Sequence, residues 1–285
     1  ARDGAQLNIN INGSPFHSGK LQVREEMLRT RAAENKCAIV YVNQVGGQDE
    51  LVFDGSSMVF DASGKLLARA PQFTSGLSVV EIDLDKPTVA EVAPLSDRYE
   101  EMYGALVLGT RDYVRKNKFT DVVIGLSGGI DSSIVAAVAV EALGAEHVHG
   151  VAMPSRYSSD GSKTDAYALA EALGIDCRTI SIEPVFEAYL SMLAPSFEGK
   201  AADLTEENLQ SRCRGQILMA LSNKFGWMVL TTGNKSELAV GYFTIYGDSV
   251  GGYAVIKDLL KTDVFGLSRY VNQRAGREII PEAVL

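Results

Sequence analysis

The sequence predicts an α/β chain in two parts, a mixed α+β segment followed by a doubly wound parallel sheet. The run VVIGL (122–126) is continuously apolar, as a strand covered on both faces must be. After it, short apolar runs alternate with helical patterns, which is the signature of crossover-connected parallel strands. Between the two parts, residues 86–98 carry Pro87 and Pro94 and little periodicity, the character of a linker. The expected boundaries are therefore 1–85, a linker at 86–98, and 99–285.

In the first part, residues 5–13 (AQLNININ, then Gly13) and 37–45 (CAIVYVNQV) read as strands. Between them Leu21, Val23, Met27, Leu28 and Ala32 recur at helical spacing. FDGSSMVFDASGKLLARA (53–70) and LSVVEIDLD (77–85) read as strand–turn–strand patterns, with turns at Asp54-Gly55 and Ser63-Gly64. Tyr99 to Lys116 reads as one amphipathic helix. In the second part a helix is predicted from Asp131 to Leu143, strands at 147–153, 177–182 and 227–232, and helices at 160–173 and 205–225. Thr205 is the expected N-cap of the last helix, with Glu206 and Glu207 favouring its positive end.

Of the 285 residues, 46 % are hydrophobic and 22 % charged, a globular balance. The net charge of −9 is spread over both parts without a basic stripe, which argues against a nucleic-acid partner. No run approaches the roughly 18 apolar residues of a membrane span. The opening Ala1-Arg2-Asp3-Gly4 has no Met and no basic-then-apolar signal, and is expected to be the middle of a longer chain. Cys37, Cys177 and Cys213 show no CxxC spacing, which fits a reduced, cytoplasmic protein. Cys37 lies inside an alternating strand without an acidic or basic helper, so it reads as a structural thiol rather than a nucleophile.

The sharpest motif is Ser127-Gly128-Gly129-Ile130-Asp131-Ser132-Ser133, placed between a buried strand and a helix. Two glycines let the backbone turn tightly and approach a ligand. Helix-start amides and the hydroxyls of Ser127, Ser132 and Ser133 can converge on an anion. Asp131 would repel a bare phosphate, so a bridging divalent cation is implied. No lysine follows the glycines, so the loop is not a Walker A loop. The plainer reading is a capped Gly-rich turn.

This segment resembles the PP-loop, SGGxDS, of the ATP pyrophosphatase superfamily, whose members adenylate their substrates and release pyrophosphate. TTGNKSELAVGYFTIYGDSVGGYAVIKDLLKTDVFGL (231–267), MPSRYSS (153–159) and ENLQSRCRGQILM (207–219) resemble the ammonia-using domain of the NAD synthetases. With SPFHSGK (14–20) and VNQVGGQDELVFDGSS (42–57) ahead of them, the whole chain resembles the glutamine-dependent branch of that family.

The resemblance implies the C-terminal half of a nitrilase-like α/β sandwich, then a doubly wound PP-loop (adenine nucleotide alpha hydrolase-like) domain without its last segment. It implies ATP-dependent amidation of deamido-NAD to NAD through an adenylated intermediate, with ammonia drawn from glutamine. By it, Ser127, Gly128, Gly129, Asp131, Ser132, Ser133, Thr232 and Lys261 would bind ATP, with Lys261 also catalytic. Asp131 and Glu237 would hold Mg²⁺. Asn208, Arg212, Phe243 and Asp248 would contact deamido-NAD, and Ser14 and Lys20 the glutamine.

The glutaminase Cys, Glu and Lys would precede Ala1, so this span alone is expected to lack glutaminase activity, and a homo-oligomer is expected. Each residue also admits a quieter role: Glu237 and Lys261 as surface charges, Arg212 and Arg214 as partners of Asp203, Glu206 or Glu207, Phe243 as packing. The competing readings are another adenylating PP-loop enzyme, such as a GMP synthetase or tRNA modifier, and a non-catalytic assembly piece.

Overall fold

The computed structural model describes residues 4–158 and 160–285. They form two compact units divided between Asp112 and Tyr113.

The first unit contains β1 (Leu7–Asn12), α1 (Lys20–Asn35), β2 (Ala38–Asn43), β3 (Val45–Gln48), β4 (Leu51–Asp54), β5 (Met58–Phe60) and β6 (Leu66–Arg69). Helix α2 (Arg98–Lys116) carries the division within it. The main sheet runs β1-β2-β5-β6, with β1 and β2 parallel across the α1 crossover and the other pairs antiparallel. Strands β3 and β4 form a separate hairpin. The apolar stripe of α1, Leu21, Leu28 and Ala32, packs on Ile39, Tyr41, Met58 and Phe60 of the sheet.

No strand forms at 77–85, contrary to the alternation there. One edge of β6 is taken by β5 and the other by residues 90–93, where Ala90 N–H donates to Leu67 O at 2.8 Å and Ala93 N–H to Arg69 O at 2.9 Å. LSVVEIDLD is left without a ladder partner. Its alternation survives as one-sided packing: Val80 and Ile82 lie on Val59, Leu67 and Ala68, while Leu77 and Val79 are 92 % and 90 % exposed.

The second unit contains β7 (Val122–Gly125), α3 (Ile130–Leu143), β8 (Val148–Ala152), α4 (Asp160–Leu173), β9 (Asp176–Thr179), α5 (Glu183–Leu193), α6 (Leu204–Phe225), β10 (Met228–Thr231), α7 (Lys235–Val240), β11 (Tyr253–Ala254) and α8 (Lys261–Ala275). All five strands are parallel, in the order β11-β10-β7-β8-β9. Helix α3 is apolar on every face from residue 134 to 140 and buried through most of its length, as its sequence requires. Because β8 lies on one side of β7 and β10 on the other, the strand order reverses there. In open α/β sheets ligands bind at the carboxyl ends of such a pair.

Helix α6 starts one residue earlier than the sequence suggested. Its N-cap is Asp203, not Thr205: Thr205 N–H donates to Asp203 Oδ1 at 2.7 Å, and Asp203 N–H donates to Glu206 Oε2 at 2.8 Å. Asp203 and Glu206, three apart, make the capping box, and Thr205 falls inside the first turn.

At the opposite, amino edge of the sheet a polar cluster fastens three strands. Asp121, just before β7, accepts from His147 at 3.2 Å and from His149 Nε2 at 3.3 Å, and His149 Nδ1 reaches Asp176 at 2.5 Å. The His149 ring stacks on Trp227 at 3.7 Å. Burial pushes the Asp121 carboxyl up, but hydrogen bonds from Thr120, His147 and His149 outweigh it and hold it below its ordinary value. A depressed carboxylate contributes stability that is present above its unfolded pKa and lost as pH falls through the folded one. Asp121→Asn is therefore expected to lower the melting temperature at pH 7, with a deficit that narrows as pH drops below about 4. Thermal melts across pH check this; a deficit independent of pH would contradict it.

Candidate active site at the carboxyl edge of the sheet

A cleft of about 970 Å³ opens at the carboxyl ends of β7 and β10. On the β7 side, Gly128 has φ +76°, a backbone conformation that favours glycine. Gly129 N–H donates to Ser127 Oγ at 3.2 Å, and the Ser132 and Ser133 hydroxyls donate to Gly129 O at 3.0 and 2.9 Å. The loop is thus pinned by its own side chains. Gly129, the N-cap of α3, supplies no side-chain cap, so the first amides of that helix are left for an anion. Ser127, Asp131 and Ser132 line the cleft. Ser132 and Ser133 are both buried with their hydroxyls on Gly129 O, and of the two only Ser132 lines the cleft.

On the β10 side, Thr232 lines the cleft and the chain enters α7 through a second capping box. Glu237 N–H donates to Asn234 Oδ1 at 3.0 Å, and Asn234 N–H donates to Glu237 Oε2 at 3.1 Å. Asn234 Nδ2 crosses to donate to Asp131 Oδ1 at 3.0 Å. Lys261, first residue of α8, is ion-paired with the other oxygen of Asp131. The Glu237 carboxyl is raised above its ordinary value, first by burial and then by the negative charge of Asp131 and Asp248, against the backbone N–H of Asn234 and the ammonium of Lys261. Two carboxylates and one lysine, Asp131, Glu237 and Lys261, thus share a single electrostatic environment.

The far wall is built by α6 and residues 241–252. Asn208, Ser211, Gly215 and Leu218 recur at three- and four-residue spacing along the cleft face of α6. Asn208 Oδ1 accepts from the Thr244 hydroxyl at 2.8 Å, and Asp248 Oδ1 accepts from Thr244 N–H at 2.6 Å. Phe243 also lines the cleft.

Arg212 does not line it: this exposed side chain donates from Nε to Ile245 O at 3.2 Å. Arg214 does. Its Nε donates to Met153 O at 3.2 Å, and burial lowers the guanidinium from its ordinary value. Neither arginine takes Asp203 or Glu206 as partner in these contacts; those two carboxylates cap α6. The resemblance names Arg212, but which of two arginines two residues apart faces the cleft depends on how α6 is rotated against the sheet.

In the first unit, Ser14 and Lys20 both line a separate cavity of about 580 Å³. Ser14 N–H donates to Asn43 Oδ1 at 2.9 Å, and Lys20 Nζ donates to Pro15 O at 2.5 Å. Cys37 is a buried free thiol.

The NAD synthase family model matches residues 102–285, and the carbon–nitrogen hydrolase model matches residues 1–90. The chain belongs to the NAD synthase family. It is 49 % identical, over 99 % of its length, to the glutamine-dependent NAD(+) synthetase of Thermotoga maritima, covering 55 % of that protein. A solved glutamine-dependent NAD+ synthetase from Acinetobacter baumannii, in complex with ADP, superposes with a TM-score of 0.95 at 47 % identity, over 97 % of this chain and 53 % of that one. An NH3-dependent NAD synthetase from Campylobacter jejuni, in complex with nitrate, aligns with 62 % of this chain and 75 % of its own at TM-score 0.57 and 29 % identity. The chain spans about half the length of the glutamine-dependent relatives it matches.

The wall of this NAD synthase cleft depends on close backbone approach. A Cβ on Gly215 would stand 2.6 Å from Tyr246 O and 2.9 Å from Gly247 O. Neither carbonyl can yield without moving the 241–252 segment. Gly215→Ala is expected to destabilise the chain by about 1–3 kcal/mol, the usual cost of overpacking, and to weaken any ligand held by Phe243 and Asp248. Denaturant unfolding checks the first effect; stability equal to wild type would show that the segment docks elsewhere.

Proposed function

We propose that this chain carries the synthetase activity of its family, the ATP-dependent amidation of deamido-NAD to NAD, with ammonia from glutamine in the complete protein. The observation that carries the reading is the meeting of Asp131, Glu237 and Lys261 beyond the β7–β10 pair, at the point where the strand order reverses. The nicotinate carboxylate must attack the α-phosphorus of ATP, bringing two anions together, so the site needs positive charge and fixed donors.

Among the described residues no group of three or more His, Cys, Asp or Glu is gathered as a metal cage. Asp131 and Glu237, both hard oxygen donors in one field, fit Mg²⁺, which binds through one or two carboxylates and completes its shell with phosphate and water. Bound there, Mg²⁺ would neutralise phosphate charge. The amides at the start of α3 and the Ser127 and Ser132 hydroxyls would hold phosphate oxygens. Lys261, whose ammonium stands at Asp131, would place its charge on the departing pyrophosphate. Arg214, fixed by Met153 O in a partly dry wall, is a second cation for the charge that develops at phosphorus. Asn208, Asp248 and Phe243 would orient the dinucleotide. Ammonia then displaces AMP from the acyl adenylate, and no side-chain nucleophile is required.

In the first unit, Ser14 and Lys20 would contact glutamine. We place the chain in the cytoplasm; among the described residues no helix is long and apolar enough to cross a membrane. The exposed side chains of Val240, Tyr242 and Tyr246 support self-association.

The test omits ammonia and glutamine, so that the acyl adenylate can only react back with pyrophosphate. Deamido-NAD is expected to drive ATP–pyrophosphate exchange, whereas xanthosine monophosphate is not. Glu237→Gln keeps a residue competent for the capping box yet removes a charge, so exchange is expected to fall about 10²–10³-fold, the scale of losing one aligned transition-state group. Arg214→Ala is expected to cost far more than Arg212→Ala. Exchange driven by xanthosine monophosphate and not by deamido-NAD would replace this reading with another adenylating PP-loop enzyme.

A further inference from the structure

Asn234 has no accessible surface, and its bonds reach both carboxylates of the site. Its Nδ2 donates to Asp131 at the start of α3, its backbone N–H donates to Glu237 in α7, and its Oδ1 accepts the Glu237 N–H. The two acids lie on segments that leave different strands, so nothing in local sequence fixes their separation. One carboxamide does, because it is a donor on one side and an acceptor on the other. A serine or threonine would still cap α7 but, a bond shorter, could not span to Asp131. An aspartate would add a third negative charge.

We infer that Asn234 is a positioning residue that spaces Asp131 and Glu237 for one divalent cation. The inference rests on the reading of those two residues as the metal ligands. The alternative is that Asn234 is only a helix cap, a role any good N-cap residue fills at similar stability. The two roles separate because the cap uses Oδ1 and the spacing uses Nδ2. With Nδ2 removed, Asp131 retains Lys261 as its partner, so the pair Asp131–Lys261 gains weight against metal binding.

The experiment measures Mn²⁺ binding to the full chain in the presence of ATP, by the loss of the free-ion electron paramagnetic signal, alongside melting temperature. Asn234→Ser and Asn234→Thr are compared with wild type, so that failure of one to fold leaves the other. The variants are expected to melt within a few degrees of wild type and to need at least tenfold more Mn²⁺ for half-saturation. The Mg²⁺ requirement of the exchange reaction should shift in parallel, with the half-saturating deamido-NAD concentration unchanged. Variants that fold and bind Mn²⁺ as wild type does would overturn the role of Asn234 alone. A wild-type chain that binds no Mn²⁺ with ATP would overturn the metal reading and this inference together.

Discussion

The cleft depends on β7 and β10 being hydrogen-bonded neighbours that run in the same direction, with Met228 opposite Val122 and Val229 opposite Val123. That register brings the ends of two strands separated by more than a hundred residues to one edge. The chain then leaves them on independent paths, through α3 and through α7. The first path delivers Asp131 and the glycine turn, the second Asn234 and Glu237, and α8 adds Lys261. A parallel sheet buried on both faces must be apolar along its whole length, which is why β7 and β10 hold almost no polar side chains. The polar site residues lie beyond the strand ends, in the turns and in the first turns of α3, α7 and α8.

Placing two acids together is unfavourable by itself, and the structure shows how the charge is met. Asp131 has an amide and an ammonium; the Glu237 carboxylate has one backbone N–H at a helix start, and its carboxyl stays raised because it is half-buried beside another negative charge. A site held in this way favours a ligand that brings positive charge to the acids and negative charge to the helix amides. A metal-bound triphosphate does both. The neighbouring wall adds Arg214, whose guanidinium is partly desolvated and so interacts more strongly with an incoming anion than a surface arginine does.

Much of this was legible in the residues. The apolar run before Ser127, the paired glycines and the aspartate gave the strand, the turn and the site edge, because each reflects a local requirement of backbone or burial. The capping box from Asn234 to Glu237, and the reach of Asn234 to Asp131, came from the fold alone. What escaped the sequence depended on tertiary competition. LSVVEIDLD alternates like a strand, but residues 90–93 hold the only β6 edge it could have used. Arg212 and Arg214 are chemically alike, and the rotation of α6, set by the contact of Gly215 with Tyr246 O and Gly247 O, decides between them. Ser132 and Ser133 look alike in sequence, and only the fold shows that Ser132 lines the cleft while Ser133 does not.

The most direct measurement is a crystal structure of this chain with a non-hydrolysable ATP analogue and Mg²⁺. The account predicts phosphates over residues 127–132, one metal ion touching both Asp131 and Glu237, and Lys261 moved from Asp131 onto phosphate oxygen. A nucleotide bound away from the β7–β10 edge, or a metal that touches neither carboxylate, would contradict it.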